Sequence, residues 1–314
     1  MDRFAFVAAT SPLDAPDMPA GTRVRYFAPA PALAPFATGY NCYGAVAEAP
    51  RADPFLPMMA MVNVLIDAGP VAVTIGRHRF DPVPQVALYG SMTRPIHAQT
   101  RGGLMIGAGI SPLGWGRLAS RRSAADFHNR VVPVGAMFGT GWGERLAAAL
   151  AGAGTDMEIP AILDRHLAPL FGTPHPQEAL IAAFGAIVVE DGAPDIATAA
   201  ERLGISTAAL RRLSLRFFGL PPKPLLRRAR FLRSFLRETG LDGAGRTGEI
   251  DRSYFDRSHY LRDANDFLGT TPRRFLSAPA DFLRGSAVAR LRTLGIPFQA
   301  LQHVDPASPA IHEG

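Results

Sequence analysis

Two short segments carry the most pointed chemistry in this chain: "GISTAALRRL", with Ser206, Thr207, Arg211 and Arg212, and "DRSHYLRD", with Arg257, Ser258 and Arg262. A guanidinium is a planar fork of donors that grips two acceptors at once, on a phosphate or along the edge of a guanine. A short hydroxyl beside it adds a single hydrogen bond. Lys223 and Arg273 follow at matching distances and suit phosphate oxygens. Neither segment offers the acid–base pair or the set of converging ligands that catalysis or metal binding requires.

These side chains need helices to present them, and the surrounding sequence punctuates helices clearly. In "DIATAAERLGISTAALRRLSLRFFGLPPKPLLR", Asp195 is placed to cap a first helix, Gly204 to break it, and Ser206 to cap a second that ends at Gly219. Two helices joined by "LGIS" read as a helix-turn-helix unit. Shifting the register by 50 residues finds a second copy: Ser206 meets Asp256, Arg212 meets Arg262, Gly219 meets Gly269, Pro222 meets Pro272, Lys223 meets Arg273 and Leu226 meets Leu276. Each second helix has an apolar face, Leu210, Leu213 and Phe217 in one, Tyr260, Ala264, Phe267 and Leu268 in the other. Between the copies "PLLRRARFLRSFLRETG" predicts a helix that packs through Leu225, Ala229, Leu232 and Leu236 and keeps its arginines in water.

Charge follows the duplication. The chain has 314 residues and a formal net charge of +6, and the stretch from Asp195 to Leu276 holds 16 Lys+Arg against 9 Asp+Glu. That stretch is therefore +7, and the rest, with 17 basic and 18 acidic residues, is −1. Basic charge gathered in one folded segment is the footprint of a polyanion binder.

On these motifs, "AAERLGIS", Leu210 with Arg212, "GLPP", "DRSHYLRD" and "GTTPRRFL", residues 175 to 278 resemble the AraC/XylS family of bacterial transcription regulators. The resemblance implies two helix-turn-helix units joined by a long helix, double-stranded DNA as partner, and DNA contacts at Ser206, Thr207, Arg211, Arg212, Lys223, Arg257, Ser258, Arg262 and Arg273. Two departures stand out. Ala208 occupies a place where the family often has a large or basic residue. The segment "GAGRTGEIDRS", where the second unit's first helix belongs, holds Gly243, Gly245 and Gly248, each costing up to ~1 kcal/mol in a helix interior.

The first half reads differently. Residues 1 to about 55 are rich in Pro and Ala without firm periodicity, and then "MVNVLI", "PVAVTI", "QVALYG" and "GGLMIGAGI" alternate with turn residues as a β-sandwich or small barrel would. It resembles, more loosely, the cupin-like sensor domains that precede this DNA-binding module. After Pro133, helices are predicted from Trp142 and from Asp156, the latter with a stripe of Ile159, Ile162, Leu163 and Leu167. That stripe either fills its own domain's core or forms a subunit seam, and a homodimer contact through it is the working expectation. "GTPHP" (172–176) reads as a linker.

The expected fold class is thus α+β in two domains: a β-rich cupin-like barrel with flanking helices for sensing and dimerisation (1–172), an all-α DNA-binding domain (173–280) and a tail (281–314). A small-molecule effector of unknown identity is expected in the first half, with RNA polymerase a further candidate partner. No catalytic residues, cofactor or metal site are expected. Isolated His78, His97 and His128 lack the spacing of a cupin metal centre, no Gly-x-Ser-x-Gly elbow occurs, and "GTGWGE" reads as a turn. Cys42 is the only cysteine, which excludes an internal disulfide and a cysteine-rich zinc domain, and it reads as a buried, inert thiol. The first residues do not read as a secretory signal and no long apolar run suggests a membrane span, so a cytoplasmic location is expected. The runner-up is a cupin-type enzyme with an accessory basic domain, and a basic scaffold for acidic proteins comes third.

Overall fold

The four apolar runs form strands, and one of them, "GGLMIGAGI", lies in a strand longer than its length suggests. In the computed structural model, which describes all residues except 1, 9–10, 12–13, 16–17, 119–121, 140, 193, 242–249, 252–253, 278–279 and 304–314, a short α1 (Arg3–Ala8) precedes eight strands. These are β1 (Thr22–Phe27), β2 (Ala37–Phe55), β3 (Met61–Ile66), β4 (Ala72–Ile75), β5 (His78–Phe80), β6 (Val86–Tyr89), β7 (Ile96–Ile110) and β8 (Val131–Pro133). All pairings are antiparallel, in the order β1-β2-β7-β3-β6-β8, with the β4–β5 hairpin added to the early part of β7. The long β2 and β7 pair along most of their length, broken by a shift between Val46 and Arg51. This antiparallel sheet followed by a helical half is the expected α+β, two-domain fold, and among the described residues the strand order does not close on itself.

One face of that sheet, with Tyr40, Cys42, Val62, Val64, Leu88 and Ile106, forms a single apolar cluster with helices from both halves of the chain. Here lie α2 (Pro112–Arg117), α3 (Gly135–Phe138), α4 (Trp142–Ala151) and α5 (Ile159–Leu167). Cys42 is fully buried and burial pushes its thiol pKa up, which makes it inert. The α5 stripe is core: Ile159, Ile162, Leu163 and Leu167 are all buried within the chain. The seam expected there is corrected on this ground, because side chains already enclosed by their own domain have no surface to offer a second copy. Asp164 on the same helix accepts hydrogen bonds from the Tyr40 hydroxyl (2.7 Å) and the Ala30 amide (3.2 Å), fixing α5 to the sheet.

The helical half comprises α6 (Glu178–Val189), α7 (Ile196–Arg202), α8 (Thr207–Leu213), α9 (Pro222–Thr239), α10 (Arg257–Leu268) and α11 (Pro272–Ser277), followed by α12 (Ala280–Leu294). The residues 172–176 connect the halves without separating them, since Arg117 of α2 pairs with Glu178 of α6. The expectation of a tail after residue 280 also needs correction. Helix α12 returns to the sheet: Phe282 is enclosed by Tyr43 and Phe55, and Arg290 is buried. Among the described residues no helix is long and apolar enough to cross a membrane.

Candidate nucleic-acid interface

The helix punctuation read from the sequence is realised at both copies. The Asp195 carboxylate accepts from the Thr198 amide at 2.8 Å, Ser206 Oγ from the Ala209 amide at 3.1 Å, and Asp256 from the His259 amide at 2.7 Å. The Thr198 amide also holds the Asp195 carboxyl below its usual pKa. Gly219 and Gly269 end their helices at φ +77° and +70°, a left-handed conformation that glycine adopts without a Cβ penalty. Pro222 and Pro272 then begin α9 and α11, where a missing amide proton is harmless. The segment with Gly243, Gly245 and Gly248, where the second unit's first helix was placed, lies outside the described residues.

The apolar faces do what their spacing predicts. Leu210, Leu213 and Phe217 are buried in the first unit and Tyr260, Ala264, Phe267 and Leu268 in the second. Every candidate contact residue is exposed: Ser206, Thr207, Arg211, Arg212 and Lys223 on one side of the duplication, Arg257, Ser258, Arg262 and Arg273 on the other. Among the described residues Arg211, Arg212, Lys223 and Arg273 have no carboxylate partner, so their charge is available to an outside anion. Arg257 is engaged with Glu238 at 2.9 Å, and Arg262 reaches back to the Ser258 carbonyl at 3.4 Å. A ligand that recruits Arg257 must compete with Glu238.

Helix α9 mounts the two heads. Its 18 residues make a rod of about 27 Å at the usual rise, somewhat less than the ~34 Å of one DNA turn. Leu225, Ala229, Leu232 and Leu236 are buried as predicted, but the expectation that its arginines stay in water fails at several positions. Arg227 and Arg230 converge with the Tyr254 hydroxyl (2.8 Å) on the fully buried carboxylate of Asp263 in α10, Arg230 at 2.9 Å and Arg227 through Nε at 3.0 Å. Burial opposes the charge of Arg227, yet hydrogen bonds to Asp263 and Asp266 hold its pKa above the ordinary value. Phe231 stacks between Tyr260 and Phe267, and the Tyr260 hydroxyl donates to Glu238 at 2.5 Å. Arg233 pairs with buried Asp251 at 3.0 Å and donates to the Val188 carbonyl of α6.

Arg228 is a different case. It is fully buried, donates to the carbonyls of Met58 and Met92 in the sheet half, and among the described residues has an Nε without a partner. Burial pushes its pKa down to about 10, so it stays charged near neutral pH. It bolts the helix between the heads to the sheet domain. Ser123 Oγ donates to the Leu215 carbonyl at 2.9 Å, and Gly219 packs tightly against Ser91 and the Ala124 carbonyl, whereas among the described residues Gly269 faces open space. The first head is therefore seated on the sheet half. The second is held chiefly through Asp263, with one contact from Arg94 to the Asp266 carbonyl.

The sequence reading missed this buried frame. Its signal was present: Asp263 lies one turn from Tyr260 and beside Ala264 on an otherwise apolar face, opposite a helix dense in arginine. An acid in that setting points to a buried ion pair. Among the described residues, no three His, Cys, Asp or Glu side chains converge as a metal site would require.

No family model matches the chain, and no curated protein matches it. Solved structures with similar folds include ToxT from Vibrio cholerae, with 9% sequence identity over 76% of this chain and 97% of that one at a TM-score of 0.41. An apo form of ToxT from Vibrio cholerae strain SCE256, carrying a single substitution, shares 10% over 77% and 97%, with a TM-score of 0.42. The AraC-like transcriptional activator CuxR shares 14% over 68% and 86%, with a TM-score of 0.24. At such identities and superpositions, the functional reading rests on the chain's own residues.

Proposed function

We propose that this chain is a sequence-specific, DNA-binding transcription regulator of the AraC/XylS type, with α8 and α10 as its two reading helices. The observation that carries the reading is the duplication itself: two units with the same cap, stop and proline, on one rigid helix, each exposing arginines and small hydroxyls. In this reading Arg211, Arg212 and Arg262 approach base edges with Ser206, Thr207 and Ser258, while Lys223 and Arg273 anchor phosphates and Arg257 exchanges Glu238 for DNA.

The sheet half senses a small organic molecule and passes its state to the heads through the contacts of Arg228 and Gly219. A ligand shifts the population of the DNA-competent arrangement only by as much as it binds that arrangement better. Homodimerisation and contact with RNA polymerase belong to the same reading, with the dimer surface somewhere other than the buried α5 stripe. The division into sensor (1–172) and DNA-binding (173–280) domains is kept, with α12 now serving the sensor.

The test is binding of the full chain to duplex DNA over a range of salt. A steep fall in affinity with rising salt, from release of phosphate counterions, supports the proposal. Salt-insensitive or absent binding counts against it.

A further inference from the structure

The sheet face away from the main core is shaped in an unusual way. Asn41, Gly107 and Asn63 lie side by side across β2, β7 and β3, and directly opposed residues of antiparallel strands share a face. A methyl group at Gly107 would strike the Asn41 and Asn63 side chains, and one at Gly109 would strike Thr38 and Gln299. The glycines thus clear a trough, and α12 covers it. Phe282 packs on Tyr43 and Phe55, Ser286 bonds the Tyr26 hydroxyl at 2.8 Å, and Gln299, just past α12, reaches Thr38 Oγ1 at 2.9 Å.

The cover leaves a cavity of about 110 Å³ between sheet and α12. One water centre needs roughly 10–15 Å³, so the space holds a small organic molecule. The cavity around Arg228 holds only about 40 Å³. The walls of the larger one are mostly apolar and soft, with Met58, Met61, Met105, Phe55, Phe282 and Phe298. Thioethers and ring edges favour an aromatic guest.

Two polar groups in the wall are incompletely matched. Gln299 is 8% exposed and, among the described residues, its Oε1 has no hydrogen-bond partner, so it lacks a donor there. Among the described residues Arg290, 5% exposed, hydrogen-bonds only neutral acceptors, the carbonyls of Thr38 (2.8 Å) and Ile296 (2.6 Å) and Gln302 Oε1 (2.6 Å), and lies over the Tyr26 ring at 6.0 Å. A buried cation without a counter-ion favours an anion beside it. We infer that this cavity is the effector site, that it takes a small hydroxylated aromatic carboxylic acid, and that Arg290 and Gln299, supplied by the C-terminal segment, recognise its carboxylate and hydroxyl. The inference rests on the reading that the sheet half is a sensor. It gives that sensor a direct mechanical output, since α12 begins just after α11 of the second head.

Calorimetric titration of the full chain without DNA tests it, using para-hydroxyphenylacetate, phenylacetate and para-hydroxyphenylethanol. The hydroxy acid should bind best, and loss of either polar group should weaken binding about ten-fold, the effect of one good hydrogen bond. Gln299→Leu should abolish the preference for the hydroxyl, and Arg290→Gln the preference for the carboxylate. Because Arg290→Gln loses backbone contacts, its fold is checked by near-ultraviolet circular dichroism, and Gln299→Leu decides the matter if it is unfolded. Absence of binding by all three compounds, equal affinities, or preferences unchanged in Gln299→Leu overturns the proposal. Binding that follows this pattern but leaves duplex affinity unaltered upholds the site and removes the regulatory reading instead.

Discussion

Asp263→Asn is the substitution whose effect the structure determines most fully. The carboxylate is completely enclosed and receives Arg227, Arg230 and the Tyr254 hydroxyl, joining α10 to α9. Asparagine keeps the shape but removes the charge and turns an NH₂ group toward one set of donors. Breaking a buried pair from one side costs ~3–5 kcal/mol. Here the arginine side chains are 32% and 17% exposed and Arg227 keeps Asp266, so solvent and that second acid recover part of the loss. The expected cost is ~2–3 kcal/mol, a large share of a typical domain's stability. Urea unfolding should show it as a lowered midpoint. Asp266→Asn, at a side chain 49% exposed, should cost less than ~1 kcal/mol. Selection from a randomised duplex library should show that Asp263→Asn relaxes the bases read by α10 and spares those read by α8. An Asp263→Asn protein with unchanged midpoint and unchanged base preferences would refute the argument that this carboxylate positions the second head.

Arg212→Ala should cost ~1–3 kcal/mol at one base position, whereas Arg273→Ala should weaken all sequences alike, as competition binding with single-base variants will show. Arg262→Ala should match Arg212→Ala in size, because the frame around Asp263 holds α10 firmly despite the glycines before it. Leu163→Glu should lower the urea midpoint severely by placing a charge in the core, with any change in sedimentation following from unfolding. His128, half-buried and near Arg228, has its pKa lowered by burial first and by that guanidinium second. Its neutral form is therefore favoured by folding: the contribution is complete above its ordinary pKa of 6.5 and is lost as pH falls below that value. His128→Gln should flatten the decline in stability as pH falls below about 6.5, measured by urea midpoints.

The helical half was legible because its boundaries are written in single residues. Asp195, Ser206, Asp256, Gly219, Gly269 and the paired prolines each perform a local task that does not depend on the rest of the fold. Strand β2 was not legible. It is covered on both faces, with Tyr40 and Cys42 toward the main core and Asn41 and Tyr43 toward α12, so its sequence lacks the alternation of a half-wet strand. Arg228 misled for a related reason: arginine ordinarily keeps its head in water, and only tertiary structure could show this one buried and donating to backbone carbonyls. The same blindness turned α12 into a tail and the buried α5 stripe into a seam. Periodicity shows that a helix has an apolar side but not what covers it.

The central claim is that two similar heads read one duplex, and selection of bound sequences by the full chain from a randomised library measures this directly. The account predicts two preferred base blocks about one helical turn apart, near 10 base pairs, each with a guanine contact. Arg212→Ala should blur one block and Arg262→Ala the other. Recovery of no preferred sequence, or of a single block indifferent to both substitutions, would contradict it.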